Sequence, residues 1–373
     1  MKLRLIASTT MGFEALLKQE LIKLNMENVQ AFNGKVEFDG DLTDVTRANL
    51  WLRTAGRVYI KIAEFKATTF DELYEQTTQL NWKRWIQQDD HFPITKISSK
   101  KSILFSKSDS QAIIKKAIVN NLLKSYKTQR LSEDSGATVA VRVQIENDIV
   151  TLSIDTTGSS LSNRGYRAHM SKAPLRETLA AGLVMLSRWR PAKDALFDPF
   201  CGSGTILIEA ALMAKNQAPG LFRRFAAQEW ACIPKKIWDT TIEKAREAII
   251  TNPDCNISGS DKEGHVIGIA NKNAHLVDCS FINFETRSLQ DCTATDQKGV
   301  IITNPPYGER LAEQADIDIL YKHMGDIIRS QFIDWNCYIL SANERFELAY
   351  GKPARKNRKL YNGGLKSYLY QYF

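Results

Sequence analysis

The sequence predicts an α/β protein whose two halves are built differently. In the C-terminal half, short apolar strands alternate with helices, the pattern of a parallel, doubly wound sheet. In the N-terminal half, strands and helices alternate over shorter distances and end in a hairpin of two strands. Its 373 residues, 43% of them hydrophobic and 25% charged, are those of a globular protein of two to three domains.

The first 60 residues predict a small α/β module. Residues 2–8 form a strand candidate, and residues 13–24 carry apolar side chains at helical spacing. A short strand over 36–38, a helix over 41–48 and a β-rich run over 57–65 follow.

Residues 61–160 predict a second module with a basic character. It contains a strand over 93–98, a helix over 110–126 with Ser110 as its N-cap, and a hairpin of residues 139–145 and 149–155. Lysines accompany these elements: Lys100, Lys101, Lys107, Lys115 and Lys116. Each one alone fits a solvated face, whereas the set fits a nucleic-acid surface equally well. The formal charge of +8 favours polyanionic partners without naming them.

Residues 161–373 carry the strand–helix alternation. Buried strands are predicted at 195–197, 256–260, 281–285, 300–303 and 337–341, and helices at 205–216, 264–276 and 317–330. The tail breaks this order, because Asn362, Gly363 and Gly364 separate two β-rich runs and predict a final hairpin.

Several classes of site and location are disfavoured. None of the six cysteines is spaced as CxxC and no His pair stands near them, so we expect no metal site. No stretch is long and apolar enough to span a bilayer, and the N-terminus lacks a cleavage site, so we expect a reduced, cytoplasmic protein. The sequence specifies no oligomeric state.

The sharpest local motif is the segment DPFCGSGT at 198–205, which lies between a strand and a helix. Gly202 and Gly204 allow a tight turn and a close approach of the backbone to a ligand, and the helix N-terminus offers free N–H groups to an anion. A dinucleotide-binding loop is excluded because Leu207 stands where its third glycine is required. Asp261, at the end of the next strand, suits the two hydroxyls of a ribose, although a helix N-cap explains it equally.

The second motif is NPPY at 304–307, after the strand over 300–303. An exocyclic amino nitrogen of a base is a weak nucleophile, because its lone pair is delocalised into the ring. The Asn304 side-chain oxygen and the Pro305 carbonyl can accept hydrogen bonds from such an amine and orient it, while prolines 305 and 306 fix the geometry. Tyr307 can stack on an extruded base.

Together the two motifs resemble those of class I methyltransferases that modify amino nitrogens. The whole chain is similar to THUMP-domain guanine-N2 RNA methyltransferases, most closely to the N-terminal half of the bacterial large-subunit rRNA methyltransferase L and its stand-alone relatives. The resemblance implies a Rossmann-like class I methyltransferase domain preceded by a small ferredoxin-like and THUMP RNA-binding region. It also implies transfer of a methyl group from S-adenosylmethionine to N2 of a guanine, with 23S rRNA as the favoured substrate.

Site residues follow from the resemblance at matching positions. Asn304, Pro305, Pro306 and Tyr307 match the catalytic motif. The matching cofactor set is Asp198, Phe200, Gly202, Ser203, Gly204, Thr205 and Asp261, with Pro174 and Leu175 from a segment expected to lie against the cofactor. The family's acid near the adenine has no clear counterpart, and Ser288 stands in its place with Asp291 three residues on.

Three other functions stay open at this stage. One is a guanine-N2 methyltransferase acting on tRNA. Another is a DNA adenine-N6 methyltransferase, since NPPY occurs in those enzymes too. A non-catalytic RNA-binding assembly factor is the third. The basic N-terminal half favours structured RNA as partner, and the intact motif favours an enzyme.

Overall fold

A computed structural model describes residues 2–167, 175–307 and 314–373. The chain divides into two compact units. The first is formed by residues up to Ser8, Lys18–Leu161 and Arg224–Lys244, and the second by Thr9–Leu17, Ser162–Arg223 and Ala245–Phe373. Both predicted N-terminal modules therefore lie in one unit, which also contains Arg224–Lys244 from the C-terminal half of the chain.

A seven-stranded sheet organises the first unit, in the order β2-β3-β1-β4-β7-β6-β5. Its central strand β4 (Ala55–Lys66) pairs with β7 (Ile149–Asp155) and so joins the two predicted modules into one sheet. The other strands are β1 (Leu3–Thr9), β2 (Glu27–Phe32), β3 (Lys35–Gly40), β5 (Ile94–Lys100) and β6 (Val141–Glu146).

The hairpin predicted over 139–155 is present, with both turn residues Asn147 and Asp148 at positive φ. The N-cap prediction at Ser110 is wrong. The helix begins at Lys107, and its N-cap is Ser106, whose hydroxyl accepts a hydrogen bond from the Asp109 N–H. Ser110 lies one turn inside, and its hydroxyl donates to the Ser106 carbonyl.

The helices of the chain are regular over these bounds: α1 (Glu14–Lys23), α2 (Leu42–Trp51), α3 (Phe70–Thr78), α4 (Lys107–Tyr126), α5 (Glu177–Ser187), α6 (Thr205–Ala214), α7 (Lys235–Glu247), α8 (Gly264–His275), α9 (Gln314–Gln331) and α10 (Phe346–Tyr350). Within the described ranges, no helix combines the length and apolar character needed to cross a bilayer.

The second unit holds another seven-stranded sheet, in the order β10-β9-β8-β11-β12-β14-β13. Its strands are β8 (Ala195–Asp198), β9 (Ile257–Asp261), β10 (Asn283–Thr286), β11 (Gly299–Thr303), β12 (Asn336–Ser341), β13 (Lys356–Asn362) and β14 (Leu365–Tyr372). The first five are parallel, and β14 pairs antiparallel with β12 and β13. The doubly wound sheet and the final hairpin predicted from the sequence are confirmed.

Both faces of this sheet are covered. Leu196, Ile302 and Leu340 belong to one hydrophobic cluster and the neighbouring Phe197 and Ile301 to another, because successive residues of a strand point to opposite faces. Chain order reverses on the two sides of β8, between β9 and β11. A crevice outside the carboxyl ends of the strands is expected at such a reversal, and it is where both sequence motifs lie.

Candidate active site

The glycine loop connects the end of β8 to the start of α6. Gly202 and Gly204 have φ values of +51° and +77°, in the left-handed region that favours glycine. A Cβ on Gly204 would lie 2.8 Å from the ring of Phe284, whereas one on Gly202 would meet no atom within 4 Å. Gly204 is also the N-cap of α6 and offers no side-chain acceptor, so the first N–H groups of that helix remain available to an anion.

Asp198 ties this loop to the neighbouring strand. Its Oδ1 accepts hydrogen bonds from the Phe200 N–H at 3.0 Å and from the Thr303 hydroxyl at 2.6 Å. Burial raises the pKa of Asp198 to about 7, and these two hydrogen bonds oppose the shift while the charge of Asp261 adds to it. Thr303 directly precedes Asn304, so one carboxylate links the two motifs.

Asp261 faces the glycine loop from the end of β9. Its Oδ2 accepts the Gly202 N–H and its Oδ1 the Glu263 N–H, both at 3.1 Å. The N-cap of α8 is Glu263. The helix-cap explanation of Asp261 is therefore not observed, because Asp261 lies two residues before that cap.

The four residues after β11 form the second wall. Pro305 is buried, Pro306 exposed, and Asn304 and Tyr307 half-buried. The Tyr307 hydroxyl donates to the Asn304 Oδ1, and the Pro306 carbonyl accepts from the Tyr321 hydroxyl at 2.7 Å. Tyr307 is thus turned toward Asn304, and the amide oxygen keeps one of its two acceptor positions for another donor.

These walls enclose a cavity of about 470 Å³ at the carboxyl edge of the sheet. Ten of the residues predicted for the site line it: Leu175, Asp198, Phe200, Gly202, Ser203, Thr205, Asp261, Ser288, Asn304 and Pro306. Gly204, Pro305 and Tyr307 lie in the same two segments but do not line it. Pro174 lies outside the described residues.

Of the two residues predicted near the adenine, Ser288 lines the cavity and Asp291 does not. Ser288 lines the cavity, and its hydroxyl accepts the Gln290 N–H at 3.3 Å as the N-cap of a short 3₁₀ turn. Leu289 and Gln290 line the cavity as well, whereas Asp291 is exposed and is not part of the lining. The turn directs its first residues inward, so Asp291 is not brought together with the other predicted site residues.

Sequence reasoning missed several lining side chains. Lys262 and Glu263 follow Asp261, and Leu320 and His323 come from α9. Residues three apart on a helix share a face. The helix predicted from residue 317 therefore contained the signal for Leu320 and His323, but nothing in the sequence showed which face met the cavity.

Arg167, which is half-buried, is hydrogen-bonded to the first residue of α6 and to the segment before α5. One Arg167 Nη donates to the Leu175 carbonyl and to the Thr205 hydroxyl, both at 2.9 Å. Deeper, Glu209 is fully buried and accepts from Arg164 at 3.3 Å and from the Tyr166 hydroxyl at 3.1 Å. A buried carboxylate requires such partners.

Comparison with known families assigns this architecture. Residues 164–371 match an RMKL-like methyltransferase domain, residues 4–59 an RlmL ferredoxin-like domain and residues 67–155 a THUMP domain. The chain belongs to the RMKL-like methyltransferase family. The Rossmann-like, ferredoxin-like and THUMP character predicted from the sequence is confirmed.

Relatives extend over the whole chain. YpsC of Bacillus subtilis, named among the RNA methyltransferases, is 42% identical over 100% of this chain and 96% of its own length. Ribosomal RNA large subunit methyltransferase K/L of Psychromonas ingrahamii is 33% identical over 98% of this chain but only 49% of its own length. The chain thus spans nearly all of YpsC and about half of the K/L enzyme.

Solved structures share the fold of this chain over its whole length. SMU.472, a methyltransferase complexed with SAH, is 37% identical with a TM-score of 0.93, and the match covers 100% of this chain and 98% of that one. A Listeria monocytogenes protein, described as a predicted N6-adenine-specific DNA methylase, is 42% identical with a TM-score of 0.94 over 100% and 96% of the two chains. This chain is an RNA methyltransferase of the family, with S-adenosylmethionine as methyl donor.

Proposed function

We propose that the enzyme methylates N2 of a guanine in large-subunit ribosomal RNA. The observation that carries this proposal is that Asn304 and Pro306 line the same cavity as Asp198, Gly202 and Asp261. An amine-orienting segment and a cofactor loop therefore meet within one site. The names of the K/L relatives and the match of residues 67–155 to a THUMP domain support ribosomal RNA as the substrate.

The described residues fit S-adenosylmethionine. The volume of about 470 Å³ lies within the range of small-molecule sites. The uncapped start of α6 suits the amino-acid carboxylate, and Asp261 suits the ribose hydroxyls. Ser288, Leu289 and Gln290 would face the adenine, with a hydroxyl and an amide in place of an acid. We therefore propose the predicted cofactor set without Asp291.

The chemical step needs an oriented, more nucleophilic amine. S-adenosylmethionine supplies a methyl group on a positively charged sulfur. Methyl transfer to the guanine N2 lone pair would form the N–C bond as the C–S bond breaks, with the C–S electrons going to sulfur and the proton lost by N2 going to solvent. Asn304 lines the cavity, and its Oδ1 would accept a hydrogen bond from one N–H of the amine and stabilise the positive charge that grows on nitrogen. The proposed second acceptor is the carbonyl of Pro305, which belongs to the same segment although Pro305 itself does not line the cavity.

The hydroxyl of Tyr307 has a proposed role of its own, in addition to stacking by the ring. Its hydroxyl donates to Asn304 Oδ1, and burial raises its pKa, so the phenol stays protonated. It would fix the rotamer of the Asn304 amide so that the oxygen faces the amine. Stacking on the flipped base would then require Tyr307 to turn away from Asn304.

The N-terminal part would hold structured RNA. We propose the division into residues 1–60, 61–160 and 161–373, which the three family matches support. Of the predicted lysines, Lys115 is already engaged: its Nζ donates to Glu133 at 2.7 Å and to the Phe92 carbonyl at 3.1 Å. Lys100, Lys101, Lys107 and Lys116 are the better candidates for phosphate contacts.

A methylation assay with labelled S-adenosylmethionine tests the proposal. Large-subunit rRNA, tRNA and DNA serve as substrates, and mass spectrometry of the digested product identifies the base. We expect label in the rRNA as N2-methylguanosine. N2-methylguanosine in tRNA alone would make tRNA the substrate in place of rRNA, whereas N6-methyldeoxyadenosine in DNA would support the activity named for the Listeria monocytogenes protein.

A further inference from the structure

An exposed aromatic side chain marks the connection between β5 and α4. Within the described residues, Phe105 has the highest exposed fraction of any large hydrophobic side chain, 79%, and Ile103 is 62% exposed. Leu104 between them is 4% exposed and packs inward. The chain therefore anchors one apolar residue and holds the two beside it in solvent, at the cost of their hydration.

This exposure is built into an ordered loop. The Ile103 N–H donates to Asp148 Oδ1 at 2.7 Å, and the Asp148 N–H donates to the Ser102 hydroxyl at 3.0 Å. The Ser99 hydroxyl donates to the Leu104 carbonyl at 2.7 Å. The first two bonds hold the loop against the β6–β7 turn, and the third holds it to β5. Phe105 therefore lies in a loop that is fixed on both sides.

The surroundings of Phe105 in the chain are basic. Lys100, Lys101 and Lys107 are exposed, and within the described part of the chain no carboxylate pairs with any of them. Glu146 is the register partner of Lys100 and accepts from the Gln144 side-chain amide at 3.2 Å, and two other nearby acids also have partners. Asp148 accepts the Ile103 N–H, and Asp109 accepts the Ser106 hydroxyl at 2.6 Å.

We propose that Phe105 is a stacking platform for an unpaired base of the RNA, with these three lysines contacting the flanking phosphates. The proposal rests on RNA as the substrate. Aromatic rings bind bases that are free of their helix, and paired bases in A-form RNA do not expose their faces. A protein partner is disfavoured, because two apolar side chains are far less than the roughly 800 Å² that a stable interface buries on each partner.

Two RNA probes separate stacking from general attraction. One is a blunt RNA duplex, and the other is the same duplex with a single-stranded 3′ extension; affinity is measured by fluorescence anisotropy. Stacking contributes roughly 1–3 kcal/mol per base, so Phe105→Ala should weaken binding of the extended RNA about 5- to 150-fold. Binding of the blunt duplex should stay within about twofold, and Phe105→Trp should retain the preference for the extended RNA.

Phe32→Ala is the matched control. Phe32 is another exposed phenylalanine of the first unit, 45% exposed, but it lies on β2 opposite Lys35, whose Nζ lies 5.4 Å from the centroid of its ring and so occupies one face of that ring. Its removal should leave the binding of both probes unchanged. A similar loss from both Phe substitutions would overturn the proposal.

Two further outcomes are distinguishable. If the wild-type enzyme methylates RNA but Phe105→Ala binds the extended probe as well as wild type, the stacking role fails and the proposed function stands. If wild type binds neither probe and methylates no RNA, the proposed function itself fails. Self-association that disappears in Phe105→Ala, seen by analytical ultracentrifugation, would overturn the proposal in favour of a contact between two copies.

Discussion

The two segments that meet at the cavity are held in place by opposite means. In the glycine loop, backbone N–H groups make the contacts: Phe200 donates to Asp198, Cys201 to the Ser260 carbonyl at 3.0 Å and Gly202 to Asp261. In the NPPY segment, Pro305 and Pro306 have no N–H to donate. That segment is held by ring-restricted torsions and by hydroxyl groups on Tyr307 and Tyr321.

The difference has a functional consequence. A loop fixed through its backbone N–H groups can cradle a ligand that is the same in every reaction, and its geometry depends on the two carboxylates, Asp198 and Asp261, that accept them. A segment fixed through side-chain hydroxyls can present its remaining acceptor positions, such as the second one of Asn304 Oδ1, to a changing target. Substitutions in the second segment should therefore reduce the chemical step, and those in the first should reduce cofactor binding.

Asn304→Ala provides the strongest test of this separation. Removing one hydrogen bond to developing charge lowers kcat by about 10²–10³, while the Kd for S-adenosylmethionine should change by less than about threefold. Single-turnover methylation and calorimetry measure the two quantities. A comparable loss of cofactor affinity in Asn304→Ala would contradict the separation, because Asn304 would then contact the cofactor.

Asp198→Asn tests the burial of the carboxylate that links the segments. The pKa of Asp198 is raised from 3.8 to about 7, so its ionisation opposes folding as the pH rises through that range. At pH 8 the variant should exceed wild type in free energy of unfolding by up to about 4 kcal/mol, at 1.36 kcal/mol per pKa unit. Below about pH 3 the two proteins should converge, because Asp198 is then neutral in both the folded and the unfolded chain.

Denaturant titrations without cofactor at both pH values measure this effect. Asp291→Asn, on an exposed residue outside the cavity, is the matched control and should show no comparable difference. A constant gap between Asp198→Asn and wild type from pH 4 to pH 8 would mean that Asp198 is not titrating in that range.

Asp261→Ala should act on the cofactor. It removes the proposed acceptor of the ribose hydroxyls and an acceptor of the Gly202 N–H. Hydrogen bonds to a charged group contribute about 1.5–3 kcal/mol, so the Kd for S-adenosylmethionine should rise roughly 10- to 150-fold. Calorimetry on Asp261→Ala and on the control Asp291→Ala measures this change. Equal affinities in the two variants would remove Asp261 from the cofactor site.

The same contrast explains which parts of the site could be predicted from the sequence. The glycine loop and its neighbours Asp198 and Asp261 were predictable, because strand, turn and helix follow one another locally and leave a recognisable pattern. Thr303 and Tyr321 were not, since their hydroxyls act across elements whose packing only the fold decides. Lys115 shows the same limit, because its engagement with Glu133 depends on a loop 18 residues away.

The supporting role of Tyr321 gives the smallest expected effect. Tyr321 is fully buried on α9, and its hydroxyl donates to the Pro306 carbonyl and lies 3.2 Å from the Ser341 hydroxyl. Tyr321→Phe keeps the ring and its packing against Phe346 but removes the contact to Pro306. A typical hydrogen bond contributes about 0.5–1.5 kcal/mol, so kcat should fall roughly 2- to 12-fold with an unchanged Kd for the cofactor.

Tyr372→Phe separates this positioning from general stability. Tyr372 lies in the same hydrophobic cluster, but its hydroxyl donates to the Lys352 carbonyl at 3.1 Å, and neither residue lines the cavity. Both substitutions remove a tyrosine hydroxyl from a backbone carbonyl, and Tyr321→Phe also removes the contact to the Ser341 hydroxyl, so its thermal stability should fall at least as much as that of Tyr372→Phe. Only Tyr321→Phe should lower kcat, because only its carbonyl belongs to the segment that orients the amine. Equal kcat losses in the two variants would show that the NPPY segment holds its geometry without Tyr321, through the proline rings and Tyr307 alone.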